Sequence, residues 1–331
     1  MLECLKPGLE TSIQEYPGRV GFLNQGLPPS GPMDSWSFRL ANALVGNHLG
    51  AAALECQFLG PTLRFKEDAW IALCGGDMQA RLDGQPVEMW STIAVSAGQT
   101  LELGAAKTGA RCYLAVAGGF EVPQIMRSSA TFHKASIGGI EGGALKAGQR
   151  LRWKPGGRRP LVHVRVEDRP VIPADKAWSI EVVAGPNDDW IDTEGHERFL
   201  TSDWKLTAKS DRTGFRLQGP HWTFTKKAFD KAPENGAEPS NIIDHGYPLG
   251  AINLAGQTPI ILVHDGPTMG GFINPYTIPS AALWKLGQSR PGDTYRFRAI
   301  SVAEAQRLAR EQTALVNRVT TMKPTEWNEH V

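Results

Sequence analysis

One short phrase occurs three times in this chain and limits its fold more than any other feature. Ala97-Gly98-Gln99-Thr100-Leu101-Glu102-Leu103, Ala147-Gly148-Gln149-Arg150-Leu151-Arg152-Trp153 and Pro291-Gly292-Asp293-Thr294-Tyr295-Arg296-Phe297 each place a glycine turn, then an amide or carboxylate, before alternating apolar positions. A glycine turn feeding a period-2 pattern is the sequence form of a hairpin or a barrel-closing strand. The two outer copies end the two halves of the chain, which implies two similar β-rich units. Glycine (36) and proline (23) are spread throughout and interrupt the apolar runs early, so many short strands are expected rather than long helices.

Trp70–Leu73, Arg111–Ala117, Ser179–Val183 and Pro259–Val263 have the β-branched and aromatic content of strands. Three helices are expected. Asp34 is placed to cap one in which Trp36, Leu40, Leu44 and Val45 recur at helical spacing up to Gly46. Pro279-Ser280 opens a shorter one through Leu283 and Trp284 to Gly287, and Val302 to Val319 forms the third. The apolar stripe of that last helix is broken at Gln312, so it either docks on the body or awaits a partner.

With 331 residues the chain has room for two domains. The expected division is 1–154, 161–300 and a C-terminal helix and tail over 301–331, with Lys154-Pro155-Gly156-Gly157-Arg158-Arg159-Pro160 as the linker. Lys231 to Pro239 is polar and irregular and reads as a lid or gate. The 35 basic residues balance 34 acidic ones, which favours neither nucleic acid nor a charged membrane surface. Cys4, Cys56, Cys74 and Cys112 form no CxxC pair and read as buried thiols of a reducing cytosol. The start, Met1 to Lys6, lacks the basic and apolar regions of a signal peptide, and no stretch approaches the ~20 apolar residues of a membrane span. A cytoplasmic protein is the expectation.

The second half holds the segments that suggest chemistry. Asn241-Ile242-Ile243-Asp244-His245 brings an amide, a carboxylate and an imidazole together, suited to acid/base work or to orienting a substrate; a turn capped by its own side chains is the alternative. His264-Asp265-Gly266-Pro267-Thr268-Met269-Gly270-Gly271 follows an apolar strand and suits a carboxylate-binding or oxyanion pocket, unless Asp265 only bonds its own backbone. Gly270 and Gly271 favour close approach of a ligand or a packed strand. Lys285, between bulky apolar residues, is placed to polarise a carbonyl or to snorkel to solvent. Arg212 and Arg216 flank a glycine and either fork a carboxylate or pair with local acids such as Asp211. Asp188-Asp189 reads as a helix start rather than a cation site. There is no phosphate loop, GxGxxG opening a βαβ unit, HExxH or GxSxG elbow.

Taken in order, Gly31-Pro32-Met33-Asp34, Glu55-Cys56-Gln57-Phe58-Leu59-Gly60-Pro61, Ala115-Val116-Ala117-Gly118-Gly119-Phe120, Ser210-Asp211-Arg212-Thr213-Gly214, Pro239-Ser240-Asn241 and Asp265-Gly266-Pro267-Thr268-Met269-Gly270-Gly271-Phe272 resemble the biotin-dependent carboxyltransferase family, also called allophanate hydrolase subunit 2. The resemblance runs from about Met1 to Ile300. Asn241 to Tyr247, Gly250 to Asn253, the Asp265 turn and Leu283 to Gln288 are more similar to the first part of the urea carboxylase carboxyltransferase domain than to the branch formed by the C subunit of 5-oxoprolinase. This resemblance implies a mainly β fold of two cyclophilin-like β-barrel units with a few short helices. It implies transfer of a carboxyl group from carboxybiotin, carried on a partner protein, to a nitrogen of urea or a urea-like amide, with no metal or nucleotide bound by this chain. The implied partners are an allophanate hydrolase subunit 1 type protein, a biotin carboxylase and a biotin carrier, without which the chain is expected to be inactive.

On that resemblance Lys285 and Asn253 are candidate donors to the carboxyl or ureido oxygens. Asp265 and Asp244 are candidates to orient and deprotonate the substrate amine, and Asn241, His245, Arg212, Gly270 and Gly271 to shape the pocket. Two other functions stay open: the C subunit of a 5-oxoprolinase, acting in ATP-dependent lactam hydrolysis, and a non-enzymatic antagonist of a kinase inhibitor. The first half has glycine turns at Gly75-Gly76 and Gly118-Gly119 but no comparable polar cluster, so most of the chemistry is expected in the second.

Overall fold

The computed structural model describes residues 1–156 and 163–321; most of the expected linker, from Gly157, and the tail from Met322 lie outside the described residues. The chain forms two compact units. The first comprises Met1–Val20, Ser30–Ile172 and the stretch from Glu311, and the second Gly21–Pro29 and Pro173–Arg310. The architecture is mainly β, as the alternating patterns predict.

In the first unit a six-stranded sheet runs in the order Arg150–Leu151, Leu2–Lys6, Thr62–Phe65, Thr100–Glu102, Arg81–Leu82, Gln85–Pro86. A five-stranded sheet runs Glu10–Gln14, Ala53–Gln57, Arg111–Val116, Ala69–Gly75, Thr92–Val95. Leu2, Leu63, Phe65 and Leu101 of one sheet meet Leu54, Ile71, Leu73 and Leu114 of the other in a single core. The opposite face of the five-stranded sheet is covered by helix α1 (Ser35–Leu44), which is why Arg111–Val116 is buried at every position: even-numbered side chains enter the core and odd-numbered ones face the helix. All four cysteines are free and buried in these layers, and burial raises their thiol pKa values.

The polar side chains on that helix-facing layer form one network. Asp34 caps α1 as its position predicts, accepting from Trp36 N at 3.0 Å and Ser37 N at 2.9 Å. Asp34 N donates to Tyr113 Oη (2.7 Å), and Tyr113 Oη donates to Glu55 Oε2 (2.8 Å). Glu55 also accepts from Met33 N (2.8 Å) and lies 3.3 Å from Arg111 Nε, with both charged side chains buried. The motifs around Met33-Asp34 and Glu55-Cys56 therefore fix the entry to α1.

The second unit is a closed seven-stranded barrel in the order Ala177–Ala184, Tyr276–Thr277, Ala251–Ala255, Thr258–Leu262, Gly214–Gln218, Trp204–Leu206, Thr294–Ala299. Thr294–Ala299 closes it, parallel to Ala177–Ala184 and antiparallel to Trp204–Leu206. Helix α2 (Thr193–Thr201) contributes Phe199, which stacks on Tyr276 (4.5 Å) and Phe297 (4.4 Å). Helix α3 (Leu283–Gln288) follows a 3-10 turn at Ser280–Ala282. Helix α4 covers Val302–Thr321. From Glu311 it docks in the first unit, where Val316 and Val319 join the cluster around Phe38, and Gln312, which breaks its stripe, accepts from Arg39 Nη2 at 3.1 Å.

The repeated phrase is one turn used three times. The amides of Gln99, Gln149 and Asp293 donate to the carbonyls of Ser96 (3.2 Å), Lys146 (3.2 Å) and Arg290 (2.9 Å). Their side chains reach back to accept from the backbone N–H of those same residues, at 2.8, 2.7 and 3.0 Å. The glycine in each has positive φ, at 92°, 82° and 95°. A Cβ on any of the three glycines meets nothing within 4 Å, so only the backbone conformation demands glycine there. Gly292→Ala therefore lowers the unfolding free energy by about 1–2 kcal/mol in urea denaturation, the penalty for holding an L-residue in a left-handed conformation.

Candidate functional site

Asn241, Asp244, His245, Gly270 and Gly271 lie on a two-stranded antiparallel sheet of Asn241–Gly246 and Met269–Phe272, whose strands are joined through two strands of the barrel. Asn241 pairs with Phe272 and His245 with Gly270, so the first strand carries extra residues between these pairs. Such a bulge re-aims side chains, and here Ile243 (62% exposed) and Asp244 face solvent. The preceding polar stretch is tied to the same strand. Asn235 Oδ1 accepts from Ile243 N (2.8 Å), and Lys231 Nζ donates to the carbonyls of Asn241 (2.7 Å) and Glu238.

Gly270 and Gly271 make room for the residues packed across from them. A Cβ at Gly270 lies 2.8 Å from the Tyr247 ring, and one at Gly271 lies 2.8 Å from the Ile242 carbonyl oxygen and 2.9 Å from Asp244 Oδ1. Tyr247 Oη accepts from Phe272 N (2.7 Å) and donates to Phe272 O (3.3 Å), and burial raises its pKa. His245 stands edge-on to Tyr247, ring centres 5.0 Å apart, with Nε2 3.2 Å from Phe272 O. A carbonyl only accepts, so Nε2 carries a proton and donates it there. One short strand thus carries the exposed Asp244 carboxylate, the His245 imidazole and the Asn241 amide. Beside it Tyr247, Leu249, Leu262 and Thr268 line a small groove of about 50 Å³.

Arg212 and Asp265 meet each other. Arg212 Nε donates to Asp265 Oδ2 at 2.9 Å, and the two side chains are only 6% and 3% exposed. Asp265 N also donates to Arg212 O (2.8 Å), and Val263 N to Thr213 O (3.3 Å), so the two turns are joined by backbone and charge alike. Asp211 Oδ1 instead accepts from Thr213 N (2.7 Å), and Arg216 Nη1 donates to Lys209 O (2.8 Å).

Lys285 is engaged elsewhere on the barrel, donating to Glu181 Oε2 (2.6 Å) and Ser179 O (2.7 Å), with Arg298 3.3 Å from Glu181 Oε1. Asn253 lies on the strand Ala251–Ala255, 3% exposed, and its Oδ1 has no hydrogen-bond partner among the described residues. Asp188–Trp190 is a 3-10 turn rather than the start of a longer helix, and Asp192 caps α2, accepting from Gly195 N. Among the described residues no three His, Cys, Asp or Glu side chains converge to hold a metal ion, and no helix is long and apolar enough to cross a membrane.

Sequence reasoning missed Tyr247, Glu181 and Lys231. Tyr247 directly follows the Asn241–Gly246 strand, and an aromatic hydroxyl opposite a double glycine was its available signal. Glu181 gave none, because only folding brings its strand to α3.

Residues 25–299 match the family described as the carboxyltransferase domain, subdomains A and B, and the chain belongs to that family. It is 40% identical to a urea amidolyase of Lachancea kluyveri over 325 residues, covering 95% of this chain and 18% of that protein. It is 34% identical to the C subunit of the Escherichia coli K12 5-oxoprolinase over 316 residues, covering 94% of this chain and 95% of that one. The crystal structure of the Kluyveromyces lactis urea carboxylase superimposes with a TM-score of 0.92 at 37% identity, over 96% of this chain and 29% of that one. The chain thus spans less than a fifth of the urea amidolyase of L. kluyveri, and nearly the whole of the E. coli 5-oxoprolinase protein.

The packing at the two glycines and at Glu181 sets two expected outcomes. Gly270→Ala and Gly271→Ala each push apart the two strands of this sheet, through the Tyr247 ring and the Ile242 carbonyl respectively, and raise amide hydrogen exchange at Phe272 while leaving the barrel strands protected. At Glu181, burial works to raise the carboxyl pKa, but the hydrogen bond and charge of Lys285, aided by Arg298, outweigh it and hold the pKa below the usual value. A depressed carboxyl contributes stability above the ordinary carboxylate range and loses it as pH falls through the folded pKa. The stability gap between the wild type and Lys285→Met, measured by urea denaturation, is therefore widest near neutral pH and narrows on acidification through the carboxylate range.

Proposed function

We propose that this carboxyltransferase domain moves a carboxyl group from carboxybiotin to a nitrogen of urea or a urea-like amide, acting with a subunit 1 type partner, a biotin carboxylase and a biotin carrier. The observation that carries the reading is the short strand Asn241–Gly246, which holds the His245 imidazole against the Phe272 carbonyl and leaves the Asp244 carboxylate exposed. Similarity to the urea amidolyase and urea carboxylase over nearly the whole chain supports it.

An amide nitrogen attacks a carboxyl carbon only as it loses its proton, so a neutral base held at a fixed angle and a carboxylate to orient the N–H groups are what the chain must supply. In this proposal His245 Nδ1 accepts that proton, Asp244 and Asn241 orient the amide, and Asp265, neutralised by Arg212, holds the turn leading into Met269–Phe272. Carboxybiotin would supply the activated carboxyl group, its N1–carboxyl bond breaking as the amide N–C bond forms, and the proton accepted by His245 would pass to the ureido nitrogen left behind. Its ureido ring presents an N–H and a carbonyl, and the unpartnered Oδ1 of buried Asn253 is an acceptor of the kind such an N–H satisfies. Lys285, bound to Glu181 and Ser179 elsewhere on the barrel, is given no step in this proposal.

A second reading, the C subunit of a 5-oxoprolinase, is favoured by one observation: the chain and its E. coli relative correspond over nearly their full lengths. A pull-down of the tagged chain from native lysate, blotted with streptavidin, separates the two. The carboxyltransferase reading expects a biotinylated protein in the eluate. Recovery of partners without biotin, together with ATP-dependent opening of 5-oxoproline, would replace it with the second.

A further inference from the structure

The first unit, where the sequence suggests little chemistry, contains a cleft of about 1060 Å³. Its walls are three loops held backbone to backbone. A Cβ at Gly50 collides with the carbonyl of Tyr16, one at Gly118 with the carbonyl of Lys154, and one at Gly119 comes within 3.2 Å of Ala51 Cβ. Asn47 locks two of these loops: Nδ2 donates to Asn42 Oδ1 and Val116 O, both at 2.9 Å, and Oδ1 accepts from Gly118 N at 2.8 Å. The cleft is thus formed in advance of any ligand, which limits the ordering lost on binding.

Three polar side chains line it with capacity to spare. Glu15 Oε2 accepts from Ser129 N (3.1 Å) and Ser129 Oγ, which fixes the carboxylate and leaves Oε1 with no partner among the described residues. His48 Nδ1 accepts from Gly50 N at 3.2 Å, so the imidazole proton sits on Nε2 as a donor. Lys154 is exposed and has no ion pair among the described residues. A held anionic acceptor, a neutral N–H donor and an ammonium group in one cleft are complementary to a ligand with N–H donors at one end and an anion at the other.

We propose that this cleft binds a small amphoteric molecule, its amine, amide or ureido N–H groups on Glu15 and its carboxylate on His48 and Lys154. The proposal is independent of the carboxyltransferase reading. Charge-assisted hydrogen bonds at both ends are about twice as strong as neutral ones, so a ligand carrying both groups is favoured over either alone.

Isothermal titration of the full chain with N-carbamoylglycine tests this, with methylurea and acetate as the separate halves. The expected result is saturable binding of N-carbamoylglycine that is weaker for each half. Glu15→Gln keeps an oxygen for Ser129 and turns the open one into a donor, and Lys154→Ala trims an exposed side chain; each is expected to weaken binding by about tenfold, roughly the loss of one charge-assisted bond. If Glu15→Gln melts early, Lys154→Ala alone decides. No saturable binding to the wild type, or wild-type affinity in Lys154→Ala, overturns the proposal.

Discussion

The buried ion pair between Arg212 and Asp265 is the constraint on which the candidate site depends. Two charges this far from water lose several kcal/mol of hydration each, and the loss is offset only while each has the other at good geometry. At 2.9 Å and almost fully buried, the pair meets that condition, and the backbone hydrogen bonds beside it turn the electrostatic contact into a clamp between two loops. The second of those loops leads directly into Met269–Phe272, so the clamp fixes where that strand begins and hence where Gly270 and Gly271 lie beneath Tyr247 and Asp244. The same burial keeps Asp265 engaged with Arg212, whereas Asp244 stands exposed.

A comparable division operates in the first unit. Glu55 holds three partners, Met33 N, Tyr113 and Arg111, and through Tyr113 it reaches the cap of α1. Burial raises the Tyr113 pKa well above its ordinary value, with the Glu55 and Asp34 charges acting in the same direction, so the phenol stays protonated and keeps its role as a bridge. Met33, Asp34 and Glu55, which belong to the motifs that carry the family resemblance in this half, are thus accounted for by packing.

Much of this was legible in the sequence, for physical reasons that can be named. The period-2 patterns marked the strands, Asp34 marked the start of α1, and the repeated glycine phrase marked a turn whose backbone requirement is local. Local rules did not say which strands the phrase would start: Thr294–Ala299 closes a barrel, Arg150–Leu151 edges an open sheet, and Thr100–Glu102 lies inside that sheet. Gln312 read as a flaw in a helix stripe, and only the fold supplies Arg39 as its partner. At the site, Asn241, Asp244 and His245 were visible because they are neighbours in sequence. The pairing of Asp265 with Arg212, and of Lys285 with Glu181, was not, because each joins residues more than 50 positions apart. The cleft of the first unit was hidden in the same way, since Glu15, His48, Ser129 and Lys154 come from separate loops.

The central claim is that the chain places a carboxyl group on an amide nitrogen, with His245 as the proton acceptor. Its most direct test is single-turnover transfer of labelled carboxyl from a carboxylated biotin carrier to urea, with the partner proteins present, comparing the wild type with His245→Gln across pH. The expected result is pH-dependent transfer by the wild type, and a variant that is slow and has lost that dependence. No labelled urea product from the wild type, or an unchanged rate and pH profile in the variant, would contradict it.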